Sequence, residues 1–260
     1  MKSECRVRLD QYLVENKWAE SKSKAQALIK AGCVSVIKDS EEKVIRKPAF
    51  EIKDNFEGVV QVQPLPEHEY VSRAGYKLEQ ALIKTRLDVK GLRALDMGQS
   101  TGGFTEALVR QGVDFVTGLD VGHDQIHPKV KAMPQVTAYE GINGRIAEDL
   151  VKALGEPLAD HDLLVMDVSF ISQMQVLPNL MPYLKPGSHL LSLVKPQFEL
   201  GRECLNKNGV VKDQNLYDNV EQSMRQFYEQ EGIQVLSYFE SAIVGGDGNR
   251  EFFIYGTKGQ

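Results

Sequence analysis

At 260 residues, with 31 Lys and Arg against 36 Asp and Glu and a net charge of −5, the chain has room for a small domain and a larger one. That acidic balance does not announce a nucleic-acid binder, and no apolar run approaches the roughly 20 residues a membrane helix needs. Met1–Asp10 lacks the apolar core of a signal peptide, and Cys5, Cys33 and Cys204 match neither a disulfide framework nor a zinc site, so reduced thiols, no metal and a cytoplasmic setting are expected.

Residues 1–63 read as a separate unit. Apolar spacing predicts a short helix over Leu9–Glu15 and a second over Ser23–Ala31, capped near Ser21 or Ser23 and stopped by Gly32. Short strands are expected at Val34–Ile37 and Val59–Gln63, with a turn at Lys47-Pro48 between them. Residues 1–64 hold twelve Lys and Arg against ten Asp and Glu, so this end is basic in an acidic chain. Arg6 and Arg8 ahead of the first helix, with Lys22, Lys24 and Lys30 on the second, gather charge where a phosphate backbone could lie. Residues 64–69, stiffened by Pro64 and Pro66, read as a connector to a domain over 70–260.

That domain opens with a helix capped by Ser72, its apolar or small positions at Ala74, Leu78, Ala81 and Leu82, and Lys77 inside it. Then come a strand (Arg93–Met97), a glycine loop (Gly98–Gly103), a helix (Phe104–Gln111) and a second strand (Phe115–Val121). This is the first half of a nucleotide-binding α/β unit. The loop lacks the spacing of a dinucleotide site and the lysine of a phosphate-binding loop. Asp96 stands just before it and Asp120 ends the second strand, so a pyrophosphate would be repelled and a cationic group attracted. Asp120 is placed to accept hydrogen bonds from ribose hydroxyls. An adenosine with a cationic tail fits, and S-adenosylmethionine is the common one. A nicotinamide site, or glycines that serve packing alone, are the competing readings. The candidate cofactor residues are Asp96, Gly98, Ser100, Thr101, Gly102, Gly103, Phe104, Asp120 and Asp167.

Further strands are expected at Val136–Glu140, Leu163–Val168 and His189–Val194, with a helix over Arg145–Leu154 and one broken by Pro178 and Pro182. Lys185-Pro186-Gly187 reads as a turn. A long helix, Gln214–Glu231, precedes strands Ile233–Ile243 and Glu251–Thr257, which a tight glycine loop joins as a hairpin. The expected fold is therefore α/β, a parallel sheet whose last strand is antiparallel. Ligands bind at the carboxyl edge of such a sheet. Lys77, Asp167, Lys195 and Glu251, from four separate parts of the chain, all fall at that edge.

Two resemblances attach to these residues. Arg8-Leu9-Asp10, Leu13, Ser23-Lys24-Ala25, Leu28-Ile29, Gly32, Val34-Ser35-Val36 and Lys47-Pro48 are similar to the S-four RNA-binding domain, a small α+β module. Trp18 stands near a usual Gly, and Lys24 where Arg is usual, which trades a bidentate fork for a point charge. Ser72–Leu78, Asp96–Phe104, Asp167–Ser172, Val194–Glu199 and Gly248–Glu251 resemble the haemolysin A-type (TlyA) family, with Ala74 where the family favours Gly. The resemblance runs from Arg6 to Tyr255. It implies an S-four domain followed by an FtsJ-like, Rossmann-like class I S-adenosylmethionine methyltransferase sheet. It further implies 2′-O-methylation of ribosomal RNA, free or in a ribosomal subunit, with a Lys77, Asp167, Lys195 and Glu251 tetrad as the catalytic group.

Such a tetrad suits the chemistry. A ribose 2′-hydroxyl is a poor nucleophile and must shed its proton as it attacks. Lys195 either accepts that proton or, as a cation, stabilises the developing alkoxide. Asp167 orients Lys195, and Lys77 and Glu251 position the hydroxyl. Two rival classes are a membrane-active protein, which the haemolysin name suggests, and a non-catalytic RNA binder that keeps the fold. The lack of a spanning segment argues against the first, and the intact tetrad against the second.

Overall fold

The computed structural model describes residues 6–39, 41–53, 56, 58–63, 65, 67 and 69–260. Cys5, Pro64, Pro66 and His68 lie outside the described residues. The chain divides after Glu69 into two compact units.

In the first unit β1 (Arg6–Arg8) leads into α1 (Leu9–Glu15), and α2 (Lys22–Ala31) follows. Ser21 is the N-cap of α2 and accepts a hydrogen bond from the Lys24 amide at 3.3 Å. Gly32 ends that helix in the left-handed region at φ 81°, a conformation that costs a side chain but not glycine. β2 (Val34–Lys38) lies between β3 (Glu41–Ile45) and β5 (Val59–Val62), antiparallel to both, while β4 (Glu51–Lys53) pairs with β1. Leu9, Leu13, Ile29, Val34, Ile45 and Ile52 close the small core. The sequence reading omits β1, β3 and β4. β3 is Glu-Glu-Lys-Val-Ile with four exposed positions, so no alternation betrays it, and only its pairing with β2 makes it a strand.

The second unit opens with α3 (Arg73–Thr85), whose N-cap is Ser72, and continues β6 (Arg93–Met97), α4 (Gly103–Arg110), β7 (Phe115–Asp120), α5 (Pro128–Lys131), β8 (Val136–Glu140) and α6 (Ala147–Leu154). β9 (His161–Met166), α7 (Leu177–Leu180), β10 (Leu184–Val194), α8 (Pro196–Glu199), α9 (Leu216–Gln230), β11 (Ile233–Glu240) and β12 (Phe252–Lys258) complete it. Among the described residues these strands form one seven-stranded sheet in the order β11-β12-β10-β9-β6-β7-β8. β6 pairs in parallel with β7 and β9, β9 with β10, and only β12 runs antiparallel to its neighbours.

Period-two alternation sends side chains to both faces. Ala94, Val116, Leu163, Val165, Leu191 and Phe253 pack under α3 and α4. Leu95, Met97, Leu119, Leu164, Met166 and Ile254 pack under α6, α7 and α9. Covered on both sides, the sheet presents its ends to ligands. One expectation is corrected here: Lys185-Pro186-Gly187 is no turn before the strand but part of β10. Leu184 already pairs with His161, and a register shift before His189 accommodates Pro186, which has no N–H to give the ladder. Among the described residues no helix is long and apolar enough to cross a membrane.

Candidate active site

The site begins where β6 ends. Gly98 follows Met97 at φ 87°, and a Cβ there would lie 2.5 Å from the Asp167 carbonyl oxygen. Glycine is thus demanded twice, by the dihedral and by the close approach of the two strand ends. The Asp167 amide donates to the Met97 carbonyl at 3.0 Å across the same gap. Gly102 turns the chain into α4 at φ 91°, against Val130. Asp120, at the end of β7, accepts hydrogen bonds from the Ser100 amide and the Gly122 amide, both at 2.7 Å, and so sets the shape of the loop.

Two cavities open at this edge. The first, about 440 Å³, is lined by Gly98, Ser100, Asp120, Asn143, Arg145 and Phe170, among others. The second, about 560 Å³, is bounded by Lys77, Thr101, Gly103, Phe104 and Lys195. Gly98, Ser100, Asp167 and Ser169 belong to both, so the cavities share a wall.

Two lysine–carboxylate pairs stand at this edge, Asp167 on the shared wall and both lysines lining the second cavity. Lys195 Nζ lies 2.6 Å from Asp167 Oδ1 and donates to Ser169 Oγ at 2.7 Å. Lys77 Nζ donates to Glu251 Oε2 at 2.5 Å, with the side chains only 10% and 4% exposed. Burial pushes the Glu251 carboxyl up, and the Lys77 and Lys195 charges oppose that shift. Lys77 comes from α3, Asp167 from the end of β9, Lys195 from the end of β10, and Glu251 from the residue before β12. The antiparallel course of β12 is what brings its first residues to the edge where the parallel strands finish.

The sequence-predicted cofactor residues do not all face the cavities. Gly98, Ser100, Thr101, Gly103, Phe104, Asp120 and Asp167 line them. Gly102 and Asp96 line neither, and the expected contact of Asp96 with a ligand's cationic group is not one its present position offers. Asp96 is fully buried beneath the loop, where Thr105 Oγ1 donates to its Oδ2 at 2.6 Å, and Gln99 Nε2 donates to Thr105 Oγ1 at 2.8 Å. Its other oxygen, Oδ1, finds no hydrogen-bond donor among the described residues. Burial pushes the Asp96 carboxyl up to about 7, and the Asp167 and Asp120 charges add to the shift.

In the first unit the basic residues divide. Both Arg8 Nε and Nη2 donate to the buried Asp10, at 3.1 and 2.8 Å, and these bonds hold that carboxyl at about 2. Arg6 lies 3.4 Å from Glu51, and Lys24 pairs with Glu20. Lys22 and Lys30 are exposed on α2.

Two residues at the edge lie in the Asp167–Ser172 motif but are not among the sequence-predicted site residues. Ser169 bridges the cavities beside Lys195. Phe170 is 91% exposed at φ 64°, its ring 5.1 Å from that of Phe198 between centroids. Positive φ is uncommon for a bulky non-glycine residue, and it holds this apolar side chain outward at the cavity rim. The signal in the sequence was the phenylalanine itself, just after a strand end.

Known proteins share this arrangement to different depths. Residues 70–258 match the FtsJ-like methyltransferase family. YqxC of Bacillus subtilis (strain 168), by its name a candidate rRNA methyltransferase, is 39% identical over 248 residues, 95% of this chain and 84% of that one. TlyA of Mycobacterium tuberculosis, named a 16S/23S rRNA (cytidine-2'-O)-methyltransferase, is 35% identical over 250 residues, 96% of this chain and 89% of that one. Among solved structures, a candidate hemolysin from Streptococcus thermophilus is 32% identical with a TM-score of 0.68, over 99% of this chain and 90% of that one. With nearly all of its second unit matched and relatives aligned along nearly all of its length, the chain belongs to the FtsJ-like methyltransferase family.

Proposed function

We propose that this protein transfers a methyl group from S-adenosylmethionine to a ribose 2′-hydroxyl of ribosomal RNA. The observation that carries the proposal is the pair of lysine–carboxylate contacts at the ligand edge of the sheet, with Asp167 on the wall the two cavities share and Lys77 and Lys195 lining the second cavity. Relatives named as rRNA methyltransferases supply the substrate class.

The residues present fit the cofactor. The cavity beside Asp120 has the volume of a small-ligand site, and its glycine wall at Gly98 lets a ligand approach the backbone. Each Asp120 oxygen keeps acceptor capacity beyond its one amide, enough for ribose hydroxyls. When bound, S-adenosylmethionine supplies an electrophilic methyl group on a sulfonium.

The protein's own groups prepare the nucleophile. Lys195 pairs with Asp167 at 2.6 Å and donates to Ser169 Oγ at 2.7 Å. An ammonium beside the entering hydroxyl stabilises the alkoxide that develops there. A Lys195 that first gives up its proton accepts the hydroxyl's instead. Lys77, held by Glu251, faces the second cavity and positions the hydroxyl from the other side. Phe170 at the rim offers a ring to the substrate base, and the first unit serves as an S-four-like RNA-binding domain over residues 1–63, acting in the cytoplasm where ribosomes are found.

The deciding experiment incubates the full chain with ribosomal RNA or subunits and methyl-labelled S-adenosylmethionine, then maps the labelled riboses. Label on a 2′-oxygen is the expected result. No transfer to any RNA, together with leakage from liposomes, would replace the proposal with the membrane-active alternative.

A further inference from the structure

We propose that Glu199 is a positioning residue for methyl transfer, tying the segment that carries Asp167 to the segment that carries Lys195. The inference rests on the function proposed above and adds a residue outside the tetrad.

Asp167, Ser169 and Phe170 lie on a stretch with no regular secondary structure, from the end of β9 to a 3₁₀ turn at Gln173–Gln175. Its front end is tied by the Asp167 amide to Met97. Its rear end is tied by Glu199: Ser172 Oγ donates to Glu199 Oε2 at 2.5 Å, and the Gln173 amide donates to Oε1 at 3.0 Å. Both donors belong to the start of the turn, where backbone amides lack helical partners. Two adjacent donors ask for an acceptor with two oxygens, which a carboxylate supplies.

Glu199 is also rigidly joined to Lys195. The short helix α8 has Lys195 as its N-cap and Glu199 as its last residue, and it is closed by hydrogen bonds from Phe198 to Lys195 at 2.8 Å and from Leu200 to Pro196 at 3.0 Å. The two segments are thus clamped in front by the Asp167–Lys195 pair and behind by Glu199. Gln173 locks the rear further. It is 1% exposed, donates to the Leu193 carbonyl at 2.7 Å, and accepts from Ser192 Oγ and Tyr228 Oη, each at 2.8 Å.

A carboxylate here is an expensive choice for a structural tie. Among the described residues no Lys, Arg or His pairs with Glu199, and burial pushes its carboxyl above the ordinary value. An uncompensated acid next to catalytic groups is more often retained for the site than for the fold.

The test uses the full chain with Glu199→Ala, Glu199→Gln and Ser172→Ala. Steady-state methyl transfer to ribosomal RNA is measured beside hydrogen exchange at the 169–175 amides without RNA. Glu199→Ala is expected to lower kcat by about 10–100-fold, the scale of an ångström-sized misplacement, and to leave the KM for RNA within about threefold. The Gln173 and Met174 amides should lose protection in that variant. Glu199→Gln should restore both readouts, because its carbonyl accepts from Gln173 and its amide donates to Ser172 Oγ. If Glu199→Ala does not fold, Ser172→Ala carries the test, with a smaller loss in the same parameters. Wild-type kcat in the alanine variants overturns the proposal. So does a glutamine variant with native protection and alanine-like kcat, for then charge and not the tie is what matters. Should the wild type methylate no RNA, the function proposed above falls, and the exchange data still decide whether Glu199 holds the segment.

Discussion

Two residues carry the sharpest forecasts. Lys195→Ala should keep the fold and cofactor affinity while cutting methyl transfer by about 10²–10⁴, because a group used mainly in the transition state alters turnover more than binding. Lys195→Arg separates the two roles, since arginine keeps the charge beside Asp167 and cannot act as a base. Substantial residual activity would support alkoxide stabilisation, and a loss as deep as alanine's would support proton abstraction. Wild-type rates in both variants would remove Lys195 from the mechanism. Asp96 gives a pH forecast. Its carboxyl is raised to about 7 by burial, so the native state holds a proton that the unfolded chain releases near pH 4. The stabilisation from that proton is whole below about pH 4 and is lost as pH rises through about 7. Asp96→Asn keeps an acceptor for Thr105 and carries no charge, so it should gain on the wild type between pH 5 and pH 8. Urea melts at both pH values, without ligand, measure this; a difference that does not change with pH would refute it.

At the scale of elements, the site depends on strand ends that nearly touch. Gly98 and Gly91 both sit at positive φ, 87° and 77°, but only Gly98 would place a Cβ against backbone; around Gly91 there is nothing within 4 Å. Gly91→Ala should therefore cost only the left-handed penalty, about 1–2 kcal/mol. Gly98→Ala should cost more than that and also weaken S-adenosylmethionine binding, because the loop and Asp167 must part. Paired denaturation and calorimetry check this, and equal costs at the two glycines would count against the close approach. The same edge explains why β12 must run antiparallel: reversed, Glu251 would fall at the far end of the sheet from Lys77.

Across the whole molecule, charge is unevenly distributed, basic over residues 1–64 and acidic beyond. Three of the five candidate phosphate contacts already have acidic partners, which leaves the exposed Lys22 and Lys30 as the best probes. Replacing both with Ala should weaken binding to ribosomal RNA and lower the slope of log K against log salt by about 1–2, close to one counterion per lost phosphate contact. An unchanged slope would take α2 out of the RNA interface. Arg8 is a poor probe, because removing it strips the buried Asp10 of its cation and perturbs the unit itself.

What the sequence determined by itself were features written in neighbouring residues. The helical spacing of α1, the stop at Gly32, the strand–loop–helix from Arg93 onward and the apolar run of β9 are local signals, and the structure contains each within a few residues. The edge residues Lys77, Asp167, Lys195 and Glu251 were legible because strand ends in an α/β sheet fall on one side, a rule of topology. Tertiary structure decided the rest. β1, β3 and β4 exist because a partner strand satisfies their backbone, and a charged stretch such as Glu41–Ile45 carries no trace of that partner. The start of β10 and its register shift belong to the pairing with β9, so Pro186 could only read as a turn. Burial is equally non-local: Asp96 and Asp120 look alike in sequence, yet packing closes over one and leaves the other at the cavity wall. Which acid meets a cation, as with Arg8 and Asp10, and which, like Glu199, is left to hold backbone donors instead, follows from segments brought together only when the chain folds.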